Sequence, residues 1–439
     1  MQRKEKLLLL YPGVLHSAGW GDAREQNTHL LYVYSCLKEH FDVSVLDLEA
    51  EIGRPADESQ REAFKRASMQ RILSFDADIV GISCWSSLNY LASRYFAERI
   101  REARPGARIV VGGYHPTFVE EDFRYPGSPF DVIVRGGAEN AAAALGLGPP
   151  AKEGPNPLQP DFRSYPYAVT GQNVGLFLST GCPFGCTYCM EYRRRWHSVS
   201  VPEALEIVRE VEEALRPRGV MILDACFGLD GQWRREFLSE LAGRPHRCGF
   251  WIQTRTDLID DEDLPLLARL NVKIDLGVDS LSRTMLAIMR KTKNADAYLE
   301  RFLDLSDKCS RHGIEHEAYL MFNHPGESEQ TLEEHEAFVR DRLVPALRGG
   351  MLSIRSGTFS LFPGSFVHTH LDAFKERYGT SVECEAWWRE ERDQMALSRS
   401  IVPSRDSRGN PFRVTPERIR KPLADFNRAS RRVRPPPAS

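Results

Sequence analysis

An α/β chain built from two successive parallel-sheet domains is predicted by three features of the sequence. Short apolar runs alternate with amphipathic stretches over residues 1–145, a proline-rich break follows, and a second, longer alternation of the same kind begins after it. In the first part, 6–11, 43–48, 79–83, 109–112 and 132–134 read as strands, because each is short, rich in Leu, Val and Ile, and bounded by turn residues. Helical apolar spacing over 27–39, 62–75, 88–103 and 139–145 supplies the crossovers that parallel neighbours need. Pro12-Gly13, Gly112-Gly113 and Gly136-Gly137 fall at the carboxyl ends of these strands, so residues 1–147 read as a doubly wound, Rossmann-like domain whose ligand crevice lies along that edge. The prolines from Pro149 to Pro166 make 148–172 an extended linker.

The second alternation has candidate strands at 174–178, 219–223, 249–254, 272–277, 317–322 and 352–359, with helices at 202–215, 233–242, 264–270, 281–288, 296–312 and 329–347. This succession of strand-helix units predicts a partial (β/α)6 barrel of TIM type over 173–365, with function at the carboxyl ends of its strands. Past Pro363 the alternation stops; 366–378 and 385–400 read as helices of a helical C-terminal extension over 366–439. From Arg405 to Ser439 ten Lys and Arg face three acids, and this basic tail reads as a solvated or disordered segment in preference to an RNA- or peptide-binding arm.

With 42% apolar and 27% charged residues the composition is that of an ordinary soluble protein, and no apolar run approaches the ~20 residues of a membrane helix. The run Leu7 to Leu10 is stopped by Tyr11-Pro12-Gly13, too soon for a signal peptide. A net charge of -3 gives no indication of a nucleic-acid partner. Cys36, Cys84, Cys226, Cys248, Cys309 and Cys384 are scattered and the total of nine is odd, which points to a reducing cytoplasm; a monomer is expected.

The other three cysteines, Cys182, Cys186 and Cys189, form a CxxxCxxC run just past the first strand of the predicted barrel. Three thiolates make an incomplete site. Zinc would call for a fourth ligand, for which His197 is the nearest candidate; a [4Fe-4S] cluster on three cysteines would leave one iron open to a small molecule bearing an amine and a carboxylate. Tyr188, between the last two cysteines, is placed either to pack on a bound heterocycle or to fill the core.

Cys182, Cys186 and Cys189 with Tyr188, at the end of the first strand of a partial barrel, resemble the CxxxCxΦC loop of the radical S-adenosylmethionine (SAM) enzymes. The resemblance implies that the three cysteines ligate a [4Fe-4S] cluster, that its open iron binds SAM and cleaves it to a 5'-deoxyadenosyl radical, and that Tyr188 lies against the adenine. It further implies that Asp224 lies near the methionyl amine, that Gln253, Thr254 and Arg255 supply ribose or carboxylate contacts, and that Gly277 and Asp279 belong to the Gly-x-Glu-Ser turn, with Asp in place of Glu. The turn from Met321 and Phe322 to Glu327 resembles the Pro-Gly-Glu turn of the fifth strand, and Pro363-Gly364-Ser365 that of the sixth. Pro and Gly in these turns also have a plain loop-shaping role.

A doubly wound domain ahead of such a barrel resembles the cobalamin-dependent class, which uses a loop after the first strand, a Ser-x-Leu after the third and a Gly-Gly after the fourth. Pro12 and Gly13, Ser83-Cys84-Trp85, and Gly112-Gly113 with Tyr114 occupy those places, with Trp85 for Leu, and Gly136 to Glu139 resemble the Arg-Gly-Glu-Gly-Glu turn. The loop Val14-Leu15-His16-Ser17-Ala18-Gly19 keeps the histidine and glycine of Asp-x-His-x-x-Gly but not the aspartate that would orient a ligating imidazole, so His16 stands either as a cobalt ligand or as an ordinary histidine. The resemblance thus implies an enzyme binding a [4Fe-4S] cluster, SAM and cobalamin that methylates an unactivated carbon or a phosphinate-like centre. The alternatives are a radical cyclase, epimerase or oxidoreductase without net methyl transfer, and a non-catalytic iron-sulfur or zinc scaffold. The expected partners are a small-molecule or peptide substrate and an electron donor of flavodoxin or ferredoxin type, for which Arg193, Arg194 and Arg195 are a candidate patch. Trp387 and Trp388 read as a lid or as packing aromatics, and Cys226 and Cys384 as a hydrogen donor or as core thiols.

Overall fold

The computed structural model describes residues 3–16, 28–147, 160–167, 172–191, 193–346, 350–415, 417 and 418. The chain divides into two compact units: Met1–Val174 with Glu213–Arg216 and Cys384–Ser398, and Gly175–Glu212 with Pro217–Glu383 and Arg399–Ser439.

The first unit is a five-stranded parallel sheet in the order β2-β1-β3-β4-β5, from β1 (Lys6–Tyr11), β2 (Asp42–Asp47), β3 (Ile79–Ser83), β4 (Arg108–Gly112) and β5 (Val132–Val134). Its crossover helices include α1 (His29–Leu37), α2 (Leu48–Ile52), α3 (Glu58–Ser74), α4 (Tyr90–Ala103), α5 (Tyr114–Phe118) and α6 (Asn140–Ala144). Leu7 to Leu10 are buried on both faces of an interior strand, which is why β1 reads as a continuous apolar run. The short α2 follows β2 directly and has no counterpart in the predicted helices; Asp47 starts it by accepting from the amides of Glu49 and Ala50. Part of the proline-rich segment is tied down in this unit: Phe162 is fully buried, Asp161 pairs with Lys38 at 3.0 Å, and the Tyr167 hydroxyl accepts from the Asp47 amide at 2.7 Å.

The second unit is a six-stranded parallel sheet in the order β13-β12-β11-β10-β9-β6, from β6 (Asn173–Leu176), β9 (Gly219–Ile222), β10 (Gly249–Thr254), β11 (Val272–Asp279), β12 (His316–Phe322) and β13 (Leu352–Thr358). A small hairpin pairs β7 (Ser179–Thr180) with β8 (His197–Ser198) just after β6. The crossovers are α7 (Val201–Leu215), α8 (Gly231–Ala242), α9 (Leu264–Arg269), α10 (Arg283–Ile288), α11 (Ala295–Arg311) and α12 (Glu329–Phe338). α12 carries on into a wider π turn, Val339–Leu343, in place of one uniform helix, and 366–378 breaks at His370 into Phe366–Thr369 and Leu371–Tyr378. The start of the basic tail pairs Ser404–Arg405 with Pro411–Phe412 in a hairpin; its later residues lie outside those described.

The predicted helix 385–400 does not form. That stretch holds only a 3-10 turn, Trp387–Arg389, and a short helix, Gln394–Ser398, and both belong to the first unit. Buried polar contacts override the helical pattern there. Trp388 Nε1 donates to Asp122 Oδ2 at 2.6 Å, Arg389 Nε donates to Asp122 Oδ1 at 2.9 Å, and the Gln394 amide donates to the His16 carbonyl at 2.8 Å. Asp122 also meets His115 Nε2 at 3.0 Å, and His115 Nδ1 meets Ser87 Oγ at 2.9 Å. Burial alone would raise the Asp122 carboxyl, but the hydrogen bonds from His115 and Arg389 hold it below the usual range. Removing one partner from a buried ionic network leaves the others unpaired. Asp122→Ala is therefore expected to cost about 3–5 kcal/mol, read as a lower midpoint in chemical denaturation, whereas exposed Glu121→Ala leaves the midpoint in place.

Candidate functional site

The cysteine loop is anchored at both ends before any metal chemistry is considered. Gly181 has φ 77°, and a side chain there would collide with the Arg195 carbonyl, so the turn into the loop needs glycine. Thr187 is fastened three ways: its amide donates to the Met289 carbonyl at 3.0 Å, its carbonyl accepts from the Val367 amide at 2.9 Å, and its hydroxyl meets His324 Nε2 at 2.9 Å. Cys186 is buried, with Cys182 and Cys189 half-buried. Burial raises the Cys182 thiol, and it pushes Cys189 up to about 12 although the Glu191 amide donates to its sulfur at 3.3 Å.

The three sulfurs act on one another electrostatically, yet among the described residues no three His, Cys, Asp or Glu side chains converge as ligands of one ion would. A cubane cluster bonds each thiolate to a different iron, while zinc draws its ligands to one point. The all-thiol donor set fits the cluster. His197, the candidate fourth zinc ligand, sits exposed in β8.

Beside the loop lies a polar array on the carboxyl end of β11. A register shift between Gly277 and Asp279 turns Asp279 into the left-handed region, φ 67°. Its Oδ2 accepts from the Tyr188 hydroxyl at 2.5 Å and lies 2.5 Å from Lys291 Nζ. Burial would favour a neutral Lys291 amine, but Asp279 outweighs it and the ammonium is held charged; burial and Asp279 together raise the Tyr188 phenol. Tyr188, Asp279 and Gly277 are thus brought together, and Lys291 completes the group. Lys291 lies between α10 and α11, and no sequence motif marks it. Tyr298, also outside any motif, donates from its hydroxyl to the Gly277 carbonyl at 2.8 Å.

Arg255 enters from the end of β10 and is 5% exposed. Its guanidinium lies 3.9 Å from the Phe184 ring centroid in the cysteine loop and 5.4 Å from that of Tyr298. Nε and Nη2 both donate to Asp257 at 2.8 Å, whereas Nη1 is buried with no hydrogen-bond partner. A buried guanidinium nitrogen left unmade in this way is a ready donor to a ligand carboxylate.

Other expected positions stand differently. Asp224 is fully buried, and its oxygens accept from the amides of Leu178 and Ser179 and from the Ser179 hydroxyl at 2.6–3.0 Å, so it fixes the chain entering the cysteine loop. Gln253 is exposed on the inner face of the sheet. Phe322 turns to the helix side, edge-on to His335 of α12 at 5.0 Å, so its side chain is part of the core. Cys226 is buried, its sulfur 4.0 Å from Thr254 Oγ1, and Cys384 is 3.9 Å from Glu390.

In the first unit the carboxyl ends of the strands carry an aromatic group. The His29 ring stacks on Trp85 at 4.5 Å and its Nε2 meets Ser83 Oγ at 3.0 Å; Trp85 meets Tyr114 edge-on at 4.9 Å. Burial pushes His29 down to about 3, so it is neutral. Gly113 has φ 124°, and a side chain would strike the Cys84 carbonyl, which locks the loop after β3 to the loop after β4. Pro12 and Gly13 are held by Asn89, whose Nδ2 donates to the Gly13 carbonyl at 2.9 Å. Gly136 donates its amide to Thr117 Oγ1 at 2.9 Å, while Glu139 precedes α6. His16 lies among Arg61, Lys65 and Glu391, and burial lowers its pKa.

A Cys-loop site at the strand ends of one parallel sheet, with a doubly wound domain in the same chain, is matched by two families. Residues 176–339 match the radical SAM superfamily and residues 24–146 the B12 binding domain. The chain belongs to the radical SAM proteins that carry a cobalamin-binding domain. It is 24% identical over 314 residues to the anaerobic magnesium-protoporphyrin IX monomethyl ester cyclase of Rubrivivax gelatinosus, covering 62% of this chain and 56% of that protein. It is 25% identical over 244 residues to the hopanoid C-3 methylase of Methylococcus capsulatus, covering 47% of each. The chain spans about half the length of the curated relatives it matches. Its fold is similar to that of the radical SAM methyltransferase TsrM from Kitasatospora setae, with TM-score 0.65 and 17% identity over 98% of this chain and 90% of that one.

Asp224 provides a test of the loop's support. Burial pushes it up to about 6, so between the ordinary value of about 4 and about 6 the folded chain holds a proton that the unfolded chain has lost. This group's contribution to stability therefore falls as pH rises through that window and is level above it. Asp224→Asn is expected to remove that part of the slope when denaturation midpoints of the two proteins, in the same metal state, are compared across pH.

Proposed function

We propose that the chain is a cobalamin-dependent radical SAM enzyme and that its reaction is methyl transfer to an unactivated carbon or a phosphinate-like centre. The observation that carries the SAM part is the buried, unpartnered Nη1 of Arg255 beside the Cys182–Cys189 loop. When bound, the cluster supplies the electron that cleaves SAM and the corrin supplies a methyl carrier. Cys182, Cys186 and Cys189 would hold the cluster, and Arg255 would receive the methionyl carboxylate. Asp279 holds the Tyr188 ring in place and keeps Lys291 charged, so the strand end presents fixed donors instead of water. His29, Ser83, Trp85, Tyr114 and Gly113 would face the corrin, with His29 neutral and already engaged with Ser83.

Methyl transfer is favoured over a cyclase or other radical outcome by the pairing of a B12 binding domain with a fold similar to a methyltransferase, supported by the methylase relative. The cyclase relative supports the second reading, radical chemistry without net methylation.

Anaerobic reconstitution tests both. The wild type is expected to take up iron, sulfide and cobalamin and, when reduced, to give 5'-deoxyadenosine and S-adenosylhomocysteine with a product heavier by one methyl group. Arg255→Met, with the cluster intact by electron paramagnetic resonance, should weaken SAM binding about tenfold or more, in line with the loss of one charge-assisted hydrogen bond. A reduced, cluster-replete wild type that leaves SAM uncleaved overturns the proposal. SAM cleavage without S-adenosylhomocysteine moves the assignment to the second reading.

A further inference from the structure

Strand alternation gives the second sheet two unlike faces. Ile252, Ile274, Leu276, Ala318 and Leu320 form a buried apolar face toward the helices. The opposite face carries Trp251, Lys273, Asp275, Glu317, Tyr319 and Arg355, set side by side by the register pairs Trp251 with Lys273, Asp275 with Glu317, and Tyr319 with Arg355. A parallel sheet covered on both sides is apolar on both. This face is charged and keeps Gln253 and Arg355 exposed, as expected where a sheet lines a space meant for a polar ligand.

Three of its four charged groups account for one another. Glu317 lies 3.1 Å from Arg355 and 4.0 Å from Lys273, and it accepts from Ser353 Oγ at 3.3 Å. Lys273 Nζ also sits 4.5 Å from the Trp251 ring centroid, and the Arg355 guanidinium 5.3 Å from that of Tyr319. Asp275 is different. It is 2% exposed, and among the described residues no cation lies within ion-pair distance of it; the Tyr319 and Trp251 side chains act on it as weak donors, neither in good hydrogen-bond geometry. Burial pushes Asp275 up to about 6, with Tyr319, Lys273 and Trp251 acting to lower it. A buried carboxylate without a counter-ion costs several kcal/mol, a cost that a ligand with several donors and a positive charge removes. An anionic ligand would be repelled by Asp275.

We propose that the inner face of this sheet is a substrate subsite in which Asp275 receives a protonated amine, either of a small molecule or of a peptide side chain. This rests on the radical SAM reading for its place in the reaction: Asp275 lies four residues before Asp279, or ~13 Å along the strand, below the end that carries Asp279 and Lys291. Trp251 and Tyr319 flank the amine and exclude water from the contact.

Two pairs of probes test the subsite by calorimetry on the full chain: benzylamine against benzyl alcohol, and N-acetyl-lysine amide against N-acetyl-norleucine amide. The amines are expected to bind the wild type at least tenfold more tightly than their neutral counterparts. Preference for benzylamine alone indicates a small-molecule amine, and preference for the lysine amide a peptide. Asp275→Asn should abolish the preference. Should that variant fail to fold, Gln253→Lys places an ammonium on the exposed cross-strand neighbour of Asp275 and should block amine binding in the same way. Equal binding of amine and neutral probes to the wild type, or a preference that survives either substitution, overturns the subsite. Because these readouts need no turnover, amine preference in a protein that leaves SAM uncleaved removes only the reaction assignment, and SAM cleavage without amine preference removes only the subsite.

Discussion

The Asp279 carboxylate joins elements that are far apart in sequence. It accepts from Tyr188 in the cysteine loop, holds Lys291 from the connection between α10 and α11, and rests on a strand end that a bulge has turned into the left-handed region. Each partner depends on the other. Without Lys291 the carboxylate would be buried with one donor, and without Asp279 the ammonium would be buried and driven to lose its proton. The position of Tyr188 relative to the cysteines, and so the shape of the site, follows from a balance of charge within the sheet and not from the loop alone. Thr187 performs the mechanical counterpart by tying the same loop to Met289, His324 and Val367.

Around that joint the second unit separates its duties by face. The apolar face of the sheet is occupied by its own helices, and Phe322 belongs there. The polar face holds Arg355 and Lys273 against Glu317 and, among the described residues, leaves Asp275 without a counter-ion. Core packing and polar side chains are thus assigned to alternate residues of the same strands, which allows one to vary without the other.

Much of this was legible in the sequence because strands buried in parallel sheets announce themselves as apolar runs. All eleven strands of the two parallel sheets fall within a residue or two of the runs that predicted them. The cysteine loop was equally plain, since three thiols in so short a run point directly to a bound metal or cluster. Lys291 was not legible: a lone lysine in a connection looks solvated until its burial against Asp279 is seen. His29 was hidden for a similar reason, as a histidine at the start of α1 with no motif around it. Asp275 sits within an apolar strand, where its periodicity is visible but its lack of a counter-ion is not. The helix predicted over 385–400 failed because Trp387 and Trp388 carry a helical-looking pattern while their burial in the first unit sets the backbone. Asp224 shows the reverse case, a residue whose place was anticipated and whose oxygens are taken by the backbone.

The first unit is not one stretch of chain. Residues 384–398 return to it after the whole of the second sheet has been laid down, and Trp388 and Arg389 close over Asp122 and His115. A domain completed so late cannot be exchanged between proteins as a single gene cassette. A chimera joined within the proline-rich segment would bring one protein's Asp122 to another's closing segment, so recombination succeeds only where both pieces travel together. Ribosomal synthesis meets the same condition, since the first sheet leaves the ribosome well before the residues that seal it.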